Sequence, residues 1–244
     1  MRRLPTYFAA VFAYGLLVPS IASAQNSVNV FLGGFTPRSL DGRPGDDVLV
    51  ADSAGQYGLA TFDQASGINV SEFNGFTFGG EYVVGLGPMF EGELGVGYYA
   101  KTVTTSYANF TDESGNEVTQ DLHLRIVPFT ATVRWLPLGR GGGLVPYIGG
   151  GVGVFAYHYS EIGSFVDPTD NNAIYNASYD ASGSVTGPVI LGGVRAPIGN
   201  FQVGGEIRYQ NAKGDLPTTG TNSFLAPKID LTGFNYLVTL GYRF

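Results

Sequence analysis

The 244 residues carry 13 Lys and Arg against 20 Asp and Glu, a net charge of −7, and no cysteine. An acidic balance argues against a nucleic-acid partner, and a chain without cysteine cannot rely on disulfides. Thirty-seven glycines, 15 tyrosines and 17 phenylalanines with only 14% charged residues favour short strands and turns, and no stretch sustains an apolar period near 3.6.

Arg2 and Arg3 precede an apolar run from Phe8 to Val18, and Ala22-Ser23-Ala24 follows with small residues at a signal-peptidase spacing. This predicts a secretory signal over 1–24 and a mature domain over 25–244. The run falls short of the ~20 apolar residues a spanning helix needs, and Pro19 ends it. Loss of Arg2 and Arg3 takes the charge from −7 to −9. Nothing later is long and apolar enough for a membrane helix, so the exported product is either soluble or a β-barrel, stabilised by packing, strand closure or the membrane.

Eight strand-like segments follow, near 27–36, 74–85, 89–102, 119–136, 145–160, 184–197, 201–212 and 229–244. Three connections are short and rich in Gly and Pro: Gly85-Leu86-Gly87-Pro88, Pro137 to Gly143, and Pro197-Ile198-Gly199-Asn200. The other four, about 37–73, 103–118, 161–183 and 213–228, are long and polar. Short turns on one side and long loops on the other predict an all-β fold: an eight-stranded antiparallel up-and-down transmembrane β-barrel with short periplasmic turns and four long extracellular loops. Within the first loop, Val48-Leu49-Val50 and Tyr57 to Phe62 could form an extra hairpin. Both pieces are too short to span a bilayer, and Asp46, Asp47, Asp52 and Asp63 crowd them, so loop decoration is expected.

Alternation assigns the faces. Phe201, Val203, Ile207 and Tyr209 oppose Gln202, Glu206, Arg208 and Gln210; Phe90, Leu94, Val96 and Tyr98 oppose Glu91, Glu93 and Lys101. Small residues beside the charges (Gly95, Gly97, Gly204) suit a narrow polar lumen. Unpaired charges there would be costly, so Glu81, Glu91, Glu93 and Glu206 are expected to pair with Arg125, Arg134, Arg208 and Arg243 in a structural network that fills the lumen. The sharper reading of the same charges is an ion pathway.

In LHLRIVPFTATVRWLPL, Leu122, Leu124 and Ile126 share one parity, while Phe129, Val133 and Trp135 share the other. A bulge at Pro128 would shift the register by one and keep the apolar side on lipid. Trp135, the only tryptophan, then belongs to the periplasmic girdle, and Tyr98, Tyr157 and Tyr159 to the opposite one. The last strand, FNYLVTLGYRF, alternates Phe234, Tyr236, Val238, Leu240, Tyr242 and Phe244 with small or polar positions and is expected to close the barrel against SVNVFLGGF.

The signal segment, VPFTATVRWLPL, PYIGGGVGVFAY and the terminal LVTLGYRF together resemble the small outer-membrane β-barrel proteins of Gram-negative bacteria, of the OmpA-barrel, OmpX and OmpW type. The resemblance spans nearly the whole mature chain and implies residence in the outer membrane as a monomer among lipid and lipopolysaccharide. It implies that Phe244, Tyr242 and Leu240 are read by the outer-membrane assembly machinery, a transient partner. With no peptidoglycan-binding domain after the barrel in this sequence, the anchoring role of longer members does not carry over.

No cofactor or metal motif stands up. Gly149 to Gly153 looks like a dinucleotide loop but opens no helix and reads as a tight inner wall. Asp112, Ser114 and Asn116 begin a calcium-loop spacing, but His123 occupies the glutamate position. His158 and Ser160 lie two apart on one strand face, similar to the His-x-Ser pair of outer-membrane lipid A deacylases, with Glu161 where that family has asparagine. Three functions stay open: a non-enzymatic barrel acting in envelope structure or surface interaction through acidic loops, with divalent bridging to lipopolysaccharide as one form of it; a narrow passage for small or apolar molecules, as in OmpW-like barrels; and a lipid A deacylase.

Overall fold

The computed structural model describes residues 26–62, 64 and 67–244; the signal segment expected at 1–24 and Asp63 lie outside them. In chain order the elements are β1 (Ser27–Pro37), α1 (Val48–Asp52), β2 (Leu59–Thr61), β3 (Gly75–Gly85), β4 (Phe90–Thr111), β5 (Glu117–Trp135), β6 (Val145–Asp167), β7 (Ala173–Ile198), β8 (Phe201–Gln210), β9 (Lys213–Asp215), β10 (Lys228–Asp230) and β11 (Gly233–Arg243). Eight of the strands form a closed antiparallel ring, β1-β3-β4-β5-β6-β7-β8-β11. The seam is β1 against β11, in register from Ser27↔Arg243 to Pro37↔Gly233. The last strand therefore does what its alternation predicted, with Leu240, Tyr242 and Phe244 all exposed on the outside.

The extracellular side departs from the sequence reading. Two of the expected loops, 103–118 and 161–183, are mostly strand. β4 and β5 continue to Thr111 and Glu117, and β6 and β7 run 23 and 26 residues before turning at Asn171 and Asn172, which take φ of 49° and 61°. Their Thr, Ser, Tyr and Val content favours strands even where it is polar. Because a tilted strand crosses a bilayer in about 9–11 residues, more than half of the β6–β7 hairpin stands outside it. The possible hairpin at 46–63 is not formed: Val48-Leu49-Val50 begins α1, capped by the Asp47 carboxylate, and only Leu59–Thr61 is strand, paired with Thr105–Tyr107 of β4.

The bulge expected at Pro128 is absent. The β4 ladder assigns no pair between Val96↔Phe129 and Tyr99↔Ile126, where proline offers no N–H, yet it resumes in the same register, and the β5–β6 register is unbroken from Gln120 to Trp135. Leu122, Leu124 and Ile126 thus face inward, fully buried, while Phe129, Val133 and Trp135 face out. What changes at Pro128 is the interior, not the strand. The inner half of the lumen is charged and the outer half apolar. For the same reason Tyr157 and Tyr159 are not girdle residues; both point inward and are buried, whereas Tyr98 does lie on the exterior.

Candidate functional site: a lumen in two storeys

The inner storey is built from strand residues alone. Arg134 Nη2 lies 3.0 Å from Glu81 Oε1, 2.8 Å from Glu93 Oε2 and 2.9 Å from Glu206 Oε2. Arg208 Nη2 reaches the second oxygens of the same three acids at 3.1, 3.0 and 2.6 Å. Neutral donors complete the shell: Asn29 Nδ2 donates to Glu81 (2.8 Å), Thr132 Oγ1 to Glu93 (2.8 Å) and Tyr147 OH to Glu206 (3.0 Å). Room for two guanidiniums comes from missing side chains; a Cβ on Gly95 would sit 3.3 Å from Glu93 Oε1 and 3.7 Å from Arg208 Nη1. Tyr147 lies under Arg134, its ring centroid 4.7 Å from the guanidinium carbon.

Nearer the periplasmic rim Glu91 meets Arg195 at 2.6 Å and Arg140 at 3.3 Å. The whole inner storey then holds four carboxylates and four guanidiniums, so charge balances within it. Two of the arginines differ from those expected. Arg125 is exposed on the outer wall, because nine residues separate it from Arg134 and an unbulged strand puts odd separations on opposite faces. Arg243 has inward parity but stands at the strand end, where it donates to the Gly199 carbonyl at the rim. Arg195 and Arg140 take their places. Arg195 could have been found, since it shares the inward parity of Val189 and Leu191; Arg140 folds back from a turn and left no periodic signal.

Glu81, Glu93 and Glu206 bring their oxygens close enough to suggest a metal triad, but the two arginines already occupy that space. Below them, a cavity of about 10 Å³, one water's worth, is lined by Ser27, Glu91, Arg195 and Gln202 among others.

The outer storey is filled by loops. Val48 and Leu49 of α1, with Leu59, Ile68, Val70 and Phe73, descend from the first connection; Leu216, Phe224, Ile229 and Leu231 enter from the last. They pack on Phe35, Tyr99, Leu122, Leu124, Phe155 and Tyr159 of the wall. Phe35 and Tyr99 meet edge-on at 4.9 Å, and Tyr159 lies 5.6 Å from Phe224. A buried latch joins the two connections: Asp47 accepts from Arg43 (2.9 Å), from its own helix at Leu49 N (3.1 Å) and from Asp230 N (2.6 Å). Burial pushes the Asp47 carboxyl above its usual range, and Arg43 opposes that shift.

One part of this storey sets acid against acid. Asp52, at the end of α1, meets Glu161 of β6 beside Tyr159, and all three are buried. Burial and the neighbouring Glu161 push the Asp52 carboxyl well up, and burial pushes Glu161 up to about 7. Asp52 and Tyr159 both hydrogen-bond Glu161, so a proton can be shared across the acid pair. Glu161 thus belongs to the plug contact rather than to a catalytic rim. Its neighbour His158 faces outward and shares its Nδ1 with Ser182 Oγ at 2.8 Å, while Ser160 is buried between His123 and Asp180 in the cross-strand register.

A closed eight-stranded up-and-down barrel, apolar outside and polar within its inner half, has the fold of outer-membrane β-barrel proteins. Among solved structures the chain is similar to the outer membrane protein OprG from Pseudomonas aeruginosa, with 13% identity and a TM-score of 0.51 over 91% of this chain and 96% of OprG. The N-terminal β-barrel domain of Pseudomonas aeruginosa OprF (14% identity, TM-score 0.39, 91% and 100% covered) and the E. coli outer membrane protein W (12%, 0.36, 92% and 100%) also match. At such identities the likeness is one of fold. No family model and no curated protein sequence matches the chain.

Proposed function

We propose that the protein is a non-enzymatic integral outer-membrane barrel with a closed lumen, which acts in envelope structure or surface interaction through its two projecting hairpins. The observation that carries this reading is the filling of both storeys, by a balanced ion network below and by an apolar plug above. The hairpin tips are acidic, with Glu113 and Glu117 on one and Asp167 and Asp170 on the other, which suits contact with lipopolysaccharide through divalent cations. The bond from His158 to Ser182 rather than Ser160, and the use of Glu161 inside the plug, weigh against the deacylase. Single-channel recording in planar bilayers tests the closed lumen: no discrete conductance is expected, and stable, reproducible steps would overturn it.

A second reading has one observation in its favour. The outer storey is apolar, which an ion pathway would not need, so displacement of the plug would leave a chamber for apolar molecules. Uptake of an apolar fluorescent dye into proteoliposomes should then rise when residues 46–62 are deleted and stay at background in the intact chain.

A further inference from the structure

Arg125 has left the lumen, and its new surroundings are specific. On the outer wall of β5 it is the direct cross-strand neighbour of His158 on β6. His123, two residues further along β5, shares that face, and the rings of His123 and His158 are 6.4 Å apart. Each histidine spends Nδ1 on a hydroxyl of the next strand, His123 with Thr102 Oγ1 and His158 with Ser182 Oγ, both at 2.8 Å. These bonds use Nδ1 on each ring and orient both.

The level of the trio is also specific. On the same strands the exterior below is apolar, with Tyr98, Val127, Phe129 and Val154; at Arg125 the polar rungs begin. Asp121, held by Thr104 Oγ1 at 2.6 Å, lies one rung further out than His123, and Asp180 lies on His123's rung two strands away, beyond Ser160, so the side of the trio toward the apolar wall carries no acid among the described residues. Arg38, also on the outer side, lies 3.7 Å from Asp230 and donates to Tyr209 OH at 3.1 Å, and Arg43 is spent on Asp47. Arg125 has no carboxylate within ion-pair distance among the described residues. It is a fork of donors standing at the outer headgroup level beside two oriented imidazoles.

We infer that Arg125, His123 and His158 form a binding site on the outside of the barrel for a phosphate of an outer-leaflet glycolipid, whose acyl chains lie along the apolar wall below. The guanidinium offers paired donors to the phosphate oxygens, and each neutral imidazole whose Nδ1 accepts from its hydroxyl carries its proton on Nε2, a further donor. This rests on the membrane-spanning reading above and gives the lipid contact an address distinct from the acidic tips.

The test uses the full mature chain refolded in detergent, with a phosphorylated lipid A as probe and native mass spectrometry to count bound lipid. Wild type is expected to hold one lipid A, with Arg125→Gln and His123→Gln/His158→Gln weakening it by about ten- to a hundredfold, the loss of one or two charge-assisted contacts. Enzymatically dephosphorylated lipid A should bind wild type as weakly as the variants bind the intact lipid. Equal binding by wild type and variants, equal binding of both lipids, or binding of inorganic phosphate as tight as that of lipid A would each overturn the proposal. Heat-modifiable gel migration reports separately on the barrel: if it is retained while binding is unchanged by substitution, the phosphate site fails and the membrane reading stands.

Discussion

The two storeys of one lumen solve burial in opposite ways. The inner one is made almost wholly from strand side chains, is charged, and has both oxygens of Glu81, Glu93 and Glu206 answered by Arg134 and Arg208. The outer one is made from connections, is apolar, and is pinned by the fully buried Arg43–Asp47 ion pair and an acid pair at Asp52 and Glu161. Strand residues are held by the ladder, so a network built on them cannot adjust when a member is lost. Loop residues are held mainly by side-chain packing, with Leu59–Thr61 in a short ladder to β4. On this difference the outer storey is expected to open separately from the barrel.

That contrast predicts an ordered set of responses. Arg134→Met should have the largest effect, because it leaves Glu81, Glu93 and Glu206 facing one remaining arginine; about 3–5 kcal/mol should be lost, read as a lower urea midpoint in the gel-shift assay. Phe73→Ala, which empties a fully buried place in the plug, should cost about 3 kcal/mol of plug docking but leave the barrel's own unfolding midpoint little changed, and protease cutting within 38–74 should separate the two. Loss of midpoint without new cutting would merge the storeys into one cooperative unit.

A pH response should follow from Glu161. Its proton is held to about pH 7 in the docked state against 4.5 ordinarily, so docking is strongest below about pH 4.5 and weakens as the pH rises to about 7, and Asp52, also pushed well up by burial, acts in the same direction. Proteolytic opening of 38–74 should rise over that window in wild type and stay flat in Asp52→Asn/Glu161→Gln. The smallest effect belongs to the tips: Glu113→Gln, fully outside both storeys, should move stability by less than about 0.5 kcal/mol.

The ring of strands was legible because alternation survives in every wall segment and the seam pattern of FNYLVTLGYRF is unusually clean. The inner network was largely legible too: Glu81, Glu91, Glu93, Glu206, Arg134 and Arg208 all carry inward parity within spans that read as strand. The errors on β5 share one cause. A single, uniformly polar lumen puts Leu122, Leu124 and Ile126 on the lipid side, which requires a bulge at Pro128, and that bulge turns Arg125, of the opposite parity, inward. Strand alternation reports a change of side only if each side stays one medium along its length. Here the interior changes medium halfway, and what changes it is the first and last connections, whose apolar residues are spaced irregularly and give no period to read.

The parity of β5 is therefore the most direct test. Because the chain has no cysteine, single cysteines can be placed without background. Spin labels at positions 122, 124, 126, 129, 133 and 135, with the protein in liposomes, report lipid contact through collision with dissolved oxygen. Continuous alternation predicts high oxygen accessibility at 129, 133 and 135 and low accessibility at 122, 124 and 126; high accessibility at all six would restore the bulge at Pro128 and contradict the two-storey lumen.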